Sequence, residues 1–600
     1  MKRIAAIFLG LAVGSLCPAQ IKVADHGKAL VTVVTQAGAT SAELHAAKDL
    51  QDTLSHITGA PIPLVSSPLR LPKIAIVVGQ GSFASQLLPK VAWARLGQED
   101  IVIQSVGTKL VVAGGRPRGT VYAASRLLQL AGVRYWAPWA TTIPSRPVLV
   151  LPKLAVNDHP TFEYRDPYWF HAFDANWAAH NADNGINTRL DETQGGKIVS
   201  NDFVHTYYVL VPPATLFATH PEWYSLINGK RVDHDAQLCT TNPELREYVV
   251  KQVRERLKQS PAVNLVSISQ NDCYQPCQCE KCRSQAKQEG SDSALVLDLV
   301  NFVAERLEKE FPNVAFDTLA YQWSRKPPTS MRPRSNVIMW LCSIECSFSS
   351  PLDAEINKSF ADDVKNWSKL TNRLYVWDYA TNFAGYLAPQ PNYFTFGQTI
   401  RFLSTHGTVG LFEEGAYEST AGDMAALKAW VQAKLMWNPN LDDDALIHEF
   451  LDGYYGPAGQ PIYTYLKLMQ DRAKPFHLSF ASSMQAKFLS YDTMHDAELI
   501  WQFAEQQVAN NPTLLWRVKQ SHLGVQFIWL SRWKEYQKAS KDKGDHWLVN
   551  RSRRAFAEEW LKIATGPGPA GWSPVTRISE GGATPKMFID DLGADPPDPN

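Results

Sequence analysis

Six hundred residues exceed what a single hydrophobic core holds, so the chain is expected to divide into about two to four domains. Its 59 basic and 59 acidic residues cancel, and no long basic run stands out, which argues against a nucleic-acid footprint of clustered Lys and Arg. Aromatic residues are abundant, with 19 Trp, 21 Tyr and 25 Phe; their rings suit stacking on the apolar faces of sugars, and equally the interior of a large core.

The chain opens MKRIAAIFLGLAVGSLCPAQ. Lys2-Arg3, an apolar run from Ile4 to Leu16 and the small Ala19 read as a signal peptide over 1–19. That run is too short for a membrane span, and Leu16 is bulky where a lipidation site before Cys17 wants a small residue. The expectation is an exported protein, periplasmic, cell-surface or extracellular, with no transmembrane segment.

Residues 21–150 read as a small α+β domain. LVTVV (30–34), KIAIVVGQG (73–81), DIVIQSVG (100–107) and KLVVAGG (109–115) are strands that end in glycine turns. Helices are expected over about 40–58 and from Gly119 to near Gly132. GGRPRG resembles an anion cradle only superficially, because it lacks the Lys-Ser/Thr of a P-loop.

From about 158 to 435 strands and helices alternate. FEYRDPYWF (162–170), INTRL (186–190), TYYVLV (206–211), NLVSISQ (264–270), AFDTLAYQW (315–323), NVIMWL (336–341), RLYVWDY (373–379) and TVGLFEE (408–414) are strand candidates. Between the fourth and fifth, SALVLDLVNFVAERLEKEF has helical apolar spacing, with Asp292 placed as its cap. Eight strands over this length predict a (β/α)8 TIM-type barrel. Helical signals dominate 436–565, and the Gly/Pro-rich 566–600 reads as a loosely ordered tail.

Chemistry in such barrels sits at the carboxyl ends of the strands. Four apolar runs end there in acids: Asp272, Glu345, Asp378 and the pair Glu413-Glu414. Each acid also has a plain structural reading, a helix cap or a salt bridge to a barrel arginine. Tyr321 and Trp323 are placed to form a stacking wall, His205 follows a strand candidate, and Asp378 lies between Trp377 and Tyr379. Cys273, Cys277, Cys279 and Cys282 are spaced closely enough for zinc, but a second CxxC is missing. A turn stapled by one disulfide, or packed thiols, is the favoured reading, and no metal ligand or cofactor is assigned.

In order along the chain, SISQNDCYQPCQCEKC, DTLAYQWSRKPP, CSIECSF, YVWDYATNF and VGLFEEGAY resemble the DUF4838 family, over roughly 160–460. That family includes glycoside hydrolase family 163, endo-β-N-acetylglucosaminidases that cut complex N-glycans. GGRPRGTVYAASRLLQLAGVRYWAPW is similar to the accessory domain before the barrel in α-glucuronidases and β-hexosaminidases. The resemblance implies site residues at Asn271-Asp272, Tyr321, Glu345, Trp377-Asp378, Asn382 and Glu413. Because neighbours on a strand face opposite ways, only one of Glu413 and Glu414 enters the pocket, and the family pattern selects Glu413. Cys273 departs from the family, which has Asn there.

The activity so implied is retaining hydrolysis in which the substrate's 2-acetamido oxygen is the nucleophile. Asp272 or Glu345 is then the acid/base, with the other orienting the acetamide, and Glu413 is the third candidate. Asn271, Tyr321, Trp377, Asp378, Asn382 and His205 are the substrate-binding candidates. The expected partner is a glycan or glycoprotein. Two alternatives stand beside this reading. One is an α-glucuronidase-like exo-hydrolase that holds a uronate on Arg165, Arg189 or Arg325. The other is a glycan-binding barrel without catalysis.

Overall fold

The β-branched runs of the first hundred residues become strands in the computed structural model, which describes residues 20–593. The expected signal peptide, with Cys17, lies outside these residues. The chain forms two units: one runs to Val133 and adds Ile143–His159 and Glu192–Gly195, and the other comprises Arg134–Thr142, Pro160–Asp191 and the chain from Gly196.

In the first unit a six-stranded sheet has the order Ala155–Asp158, Ile101–Val106, Lys109–Gly114, Ala75–Val78, Thr32–Thr35, Leu64–Ser66. Helix Ser41–Thr58 begins in a capping box, in which Thr40 and Glu43 satisfy each other's backbone N–H groups. The second expected helix spans Gly119–Leu130. The glycines of GGRPRG serve packing: a Cβ on Gly115 would lie 1.6 Å from the Gly97 carbonyl oxygen.

The second unit is built on six parallel strands, in spatial order Tyr164–Tyr168, Thr408–Glu414, Leu374–Tyr379, Val337–Cys342, Ala315–Ala320 and Leu265–Ser267. The first strand in sequence pairs with the last, and the sheet curls into a half-barrel. Its concave interior is aromatic. Tyr164, Trp340 and Tyr375 meet at centroid distances of 5.2, 5.5 and 5.3 Å. Gly410 leaves room for this layer, since a Cβ there would meet the Tyr375 ring at 2.5 Å.

Two of the eight expected strands do not form. INTRL lies in a turn, because neighbouring Asx side chains take the backbone groups that a ladder would use. Asn184 accepts from Arg165 N and donates to the Glu163 carbonyl, and Asp183 accepts from Gly185 N. TYYVLV becomes a helical turn, Tyr207–Leu210, docked end-on against the sheet. Thr206 Oγ1 donates to the Ser267 carbonyl, and Tyr207 N donates to that of Ser269. The gap between the sheet edges is crossed by single backbone bonds, Asn184 N to Arg165 O, Ile198 N to Asn184 O, and Leu265 N to Val199 O. Ser200 adds an isolated parallel bridge to Leu265.

Helix Ser293–Leu307 forms as expected, but Asp292 makes no capping bond; Ser291 Oγ accepts from Ser293 N instead. After the last strand, helices Ala425–Trp437, Asp443–Tyr455, Gly459–Ala473, Tyr491–Gln507, Pro512–Ser531, Trp533–Lys543 and Arg553–Thr565 share one hydrophobic core with the sheet. Trp430, Trp501, Trp529, Trp533 and Trp560 are fully buried there, so much of the tryptophan content is core.

The tail reading of 566–600 is corrected over its described part. Val575 and Ile578 are buried, helix Pro585–Asp591 forms, and Glu580 N and Tyr386 N make backbone bonds to Phe383 O and Ile578 O. Gly- and Pro-rich sequence hides this order because its apolar anchors, Val575, Ile578 and Phe588, are spaced too widely to show a period, although the rings of Phe588 and Phe527 pack 4.6 Å apart.

His522, buried in helix Pro512–Ser531, sits 3.0 Å from Glu498 and 2.8 Å from Glu505. Burial alone would lower its pKa, but the two carboxylates overcome that and push it from 6.5 up to about 9. A raised histidine pKa stabilises the fold fully below 6.5, and the contribution is lost as pH rises through 9. Its size is on the order of 3 kcal/mol. The expected result is a Tm that falls between these pH values in the wild type, and falls less steeply in His522→Gln. Equal slopes for the two proteins would remove the assignment.

Candidate active site

The carboxyl ends of the parallel strands surround a cavity of about 760 Å³. Tyr168, Tyr321, Cys342, Tyr379 and Glu414 line it from the last residue of a strand or the one after. Asp272 and Glu345 project from the following loops. Phe203 lies 5.2 Å from Trp377, with the rings stacked at 29°. His477, Ser479 and Phe480, from the helical region, and Glu580, from beyond it, complete the wall.

Parity along two strands decides which acids reach this space. Tyr379 pairs with Glu414, and Asp378 with Glu413. Trp377, Tyr379, Phe412 and Glu414 therefore share the concave face, while Asp378 and Glu413 face the surrounding helices. The expectation for Glu413 is thus corrected: it is fully buried, accepts from Gln432 Nε2 at 3.0 Å, and does not line the cavity. Burial and the Asp378 charge beside it push its carboxyl well above the usual range. Asp378 accepts from Ser343 Oγ and Tyr379 N, and burial raises it to about 6. It holds the strand end rather than facing the cavity.

Glu414 takes the place expected for Glu413. Its Oε2 accepts from Trp377 Nε1 at 2.7 Å, and burial pushes its pKa up to about 8 despite that bond. At neutral pH it is a proton donor inside an aromatic pocket, the environment that makes a carboxylic acid useful as a general acid. Asp272 Oδ1 accepts from the Tyr321 hydroxyl at 3.1 Å, and Gln322 Nε2 donates to that same hydroxyl at 2.9 Å. Glu345 is engaged by Arg325 Nη1 at 3.1 Å, and Arg325 also binds Asp363 at 2.8 Å.

Among the other candidates, Tyr321, Trp377 and His205 line the cavity. His205 Nδ1 is 2.8 Å from the Gln270 carbonyl, which can only accept, so Nδ1 carries the proton. His205 and Gln322 both adopt positive φ, 57° and 52°, concentrating backbone strain at the rim. Asn271 and Asn382 are not in the wall, and this too is a correction. Asn271 Nδ2 donates to the Ala236 carbonyl and its Oδ1 accepts from Tyr208 N. Asn382 Nδ2 donates to the Ser482 carbonyl, securing the loop that carries Ser479 and Phe480. Trp323 donates to the Cys273 carbonyl and lines a smaller cavity of about 410 Å³.

Sequence reasoning missed Glu414, Phe203, His477, Phe480 and Glu580 as wall residues. Glu414 has the parity of Phe412, as Tyr379 has that of Trp377, but alternation alone does not say which face is concave. The others arrive from segments distant in sequence, with no local pattern to mark them.

Residues 135–467, more than half of the chain, match the domain of unknown function DUF4838. The chain belongs to the DUF4838 family. No curated protein matches it in sequence. Among solved structures it is similar to a family GH115 4-O-methyl-α-glucuronidase with specificity for decorated arabinogalactans, at 11% identity and a TM-score of 0.58, over 95% of this chain and 80% of that one. CpGH84B gives 11% identity and a TM-score of 0.40 over 96% and 97% of the two chains. A GH138 enzyme targeting pectin rhamnogalacturonan II gives 11% and 0.41 over 94% and 97%. Only the first likeness is at the level of a shared fold. Among the described residues of this DUF4838 chain, no helix is long and apolar enough to cross a membrane.

Proposed function

We propose that this cavity is the active site of a glycoside hydrolase, and that the enzyme is an exported, retaining endo-β-N-acetylglucosaminidase of the family 163 type acting on N-glycans. The observation that carries the hydrolase reading is Glu414, an acid held near a pKa of 8 at a strand end, in one cavity with Asp272 and stacked aromatic rings. Glu413 is buried as well but faces the helices, whereas Glu414 presents its acid to the cavity, where its proton is within reach of a bound glycan.

In this mechanism Glu414 gives its proton to the leaving glycosidic oxygen as the C1–O bond breaks. The carbonyl oxygen of the substrate's own acetamide bonds to C1, forming an oxazolinium-like intermediate. Asp272, oriented by the Tyr321 hydroxyl, accepts from the acetamide N–H and aligns it for attack. Glu414, now a carboxylate, takes a proton from the water that reopens the ring, which restores the acid. Trp377, Phe203 and Tyr379 supply ring faces for the sugars. Glu345, tied to Arg325, lies beside this pair as a substrate contact.

The α-glucuronidase reading is supported by the GH115 likeness in fold, and opposed by the wall of the cavity. Asp272, Glu345, Glu414 and Glu580 line it, with no lysine or arginine among its described residues. Arg165 is spent on the Phe162 and Ala182 carbonyls. A uronate would meet carboxylates where it needs cations.

A digest of a glycoprotein bearing complex N-glycans, read by mass spectrometry, tests the substrate. The expected products are glycans one N-acetylglucosamine short, with that sugar left on the protein. No release, together with hydrolysis of glucuronoxylan or a uronate-bearing aryl glycoside, would overturn the N-glycan assignment.

A further inference from the structure

Cys239, Cys277, Cys279 and Cys282 converge from two segments, with all four Sγ atoms within 4.8 Å of one another. The Sγ of Cys239 lies 3.6 Å from that of Cys279 and 4.0 Å from that of Cys282. A disulfide would bring two sulfurs to ~2.05 Å, and all four residues are free thiols. Sulfurs at the corners of a tetrahedron around zinc, each bonded at ~2.3 Å, stand ~3.8 Å apart. The two separations straddle that edge.

The geometry points to a structural zinc centre with these four cysteines as its ligands. The ligand that the CxCxxC spacing lacks comes from Cys239, far upstream, which no local motif announces. Cys273 remains outside the group.

The surroundings suit a thiolate cluster. Zinc binding releases the four thiol protons and leaves a net charge of −2, which needs hydrogen-bond donors around the sulfurs. Leu226 N donates to Cys277 Sγ at 3.3 Å, and Arg231 Nη1 lies 3.9 Å from the same sulfur. The Thr241 hydroxyl is 3.1 Å from Cys282 Sγ. Cys239, Cys277 and Cys282 are buried, and four protein sulfurs leave no open position for substrate, which marks a structural site.

The position explains what the metal does. It ties the loop around Cys239 to the segment that follows Asp272. Gln237, two residues before Cys239, donates from Nε2 to the carbonyls of Asn271 and Cys273, and its Oε1 accepts from Asn271 N. Asp272 is thus bracketed by bonds from the loop that the metal anchors.

The purified chain, prepared without chelator, is expected to carry one zinc per molecule by elemental mass spectrometry. Chain from cobalt-supplemented cells is expected to show thiolate-to-cobalt charge transfer and tetrahedral ligand-field bands. Cys239→Ser and Cys282→Ser should lose the metal while Cys273→Ser keeps it. A wild-type chain that is metal-free and takes up no zinc on titration overturns the centre, whatever the variants do. An iron chromophore overturns the zinc identity, and metal loss in Cys273→Ser overturns the choice of ligands. None of these readings depends on glycosidase activity.

Discussion

Glu414→Gln is expected to lower kcat on an N-glycan substrate by ~10²–10⁴-fold while the protein still folds. The amide can still accept from Trp377 Nε1, so the bond that orients the side chain survives. What it cannot do is give up a proton. In the wild type, activity should decline as pH rises through about 8, where the Glu414 proton is lost, and in the variant that alkaline limb should vanish. Glu413→Gln is the control. Burial and the Asp378 charge push that carboxyl well above the usual range, toward the neutral acid, so an amide changes its charge little and activity should stay within a few-fold. Loss of activity in Glu413→Gln, with Glu414→Gln unaffected, would reverse the assignment of the two neighbours.

Asp272→Asn is expected to cost ~10²–10³-fold in kcat, because a carboxylate placed to meet developing positive charge works mainly in the transition state. Asparagine keeps an oxygen for the Tyr321 hydroxyl, so the loop geometry is preserved. The role has its own readout: a thiazoline analogue of the cyclised acetamide should bind the wild type tightly and the variant weakly. Unchanged analogue affinity would show that Asp272 does not orient the acetamide. Glu345→Gln, which loosens a contact to Arg325, should act mainly on KM. If it abolished kcat and left analogue binding intact, Glu345 rather than Glu414 would be the acid.

The parts of the half-barrel that could be read in advance are those where one chemical pattern has one structural outcome. Runs such as NVIMWL and RLYVWDY are apolar, β-branched and bounded, and they form strands within a residue of the expected positions. TYYVLV has the same composition and became a helical turn, because the end of a neighbouring strand offered carbonyls to Thr206 and Tyr207. INTRL failed through Asn184 and Asp183, whose side chains replace ladder bonds. For TYYVLV the competitor is a distant strand end that local composition does not encode; for INTRL it is the Asx pair just before the run.

The same limit governs the site. Period-two alternation established that Glu413 and Glu414 face opposite ways, and the ends of the apolar runs put this pair, Asp272 and Glu345 on the carboxyl side of the sheet. It could not say which of the pair faces inward. A parallel sheet is buried on both faces, so apolar residues flank each acid on either side and hydrophobicity carries no sign. The pairing of Tyr379 with Glu414, and the aromatic layer it continues, settles that sign in space. Long-range convergence was equally out of reach. Cys239 joins a cluster some 40 residues away, Glu580 reaches a cavity from beyond the last long helix, and His477 and Phe480 arrive from a loop after the half-barrel. The sequence by itself determined the family, the strand-end acids and the aromatic content, because each is written in neighbouring residues. The tertiary structure alone decided which acid is buried as a proton donor, and which distant thiols and rings meet, because burial and convergence belong to the packed chain.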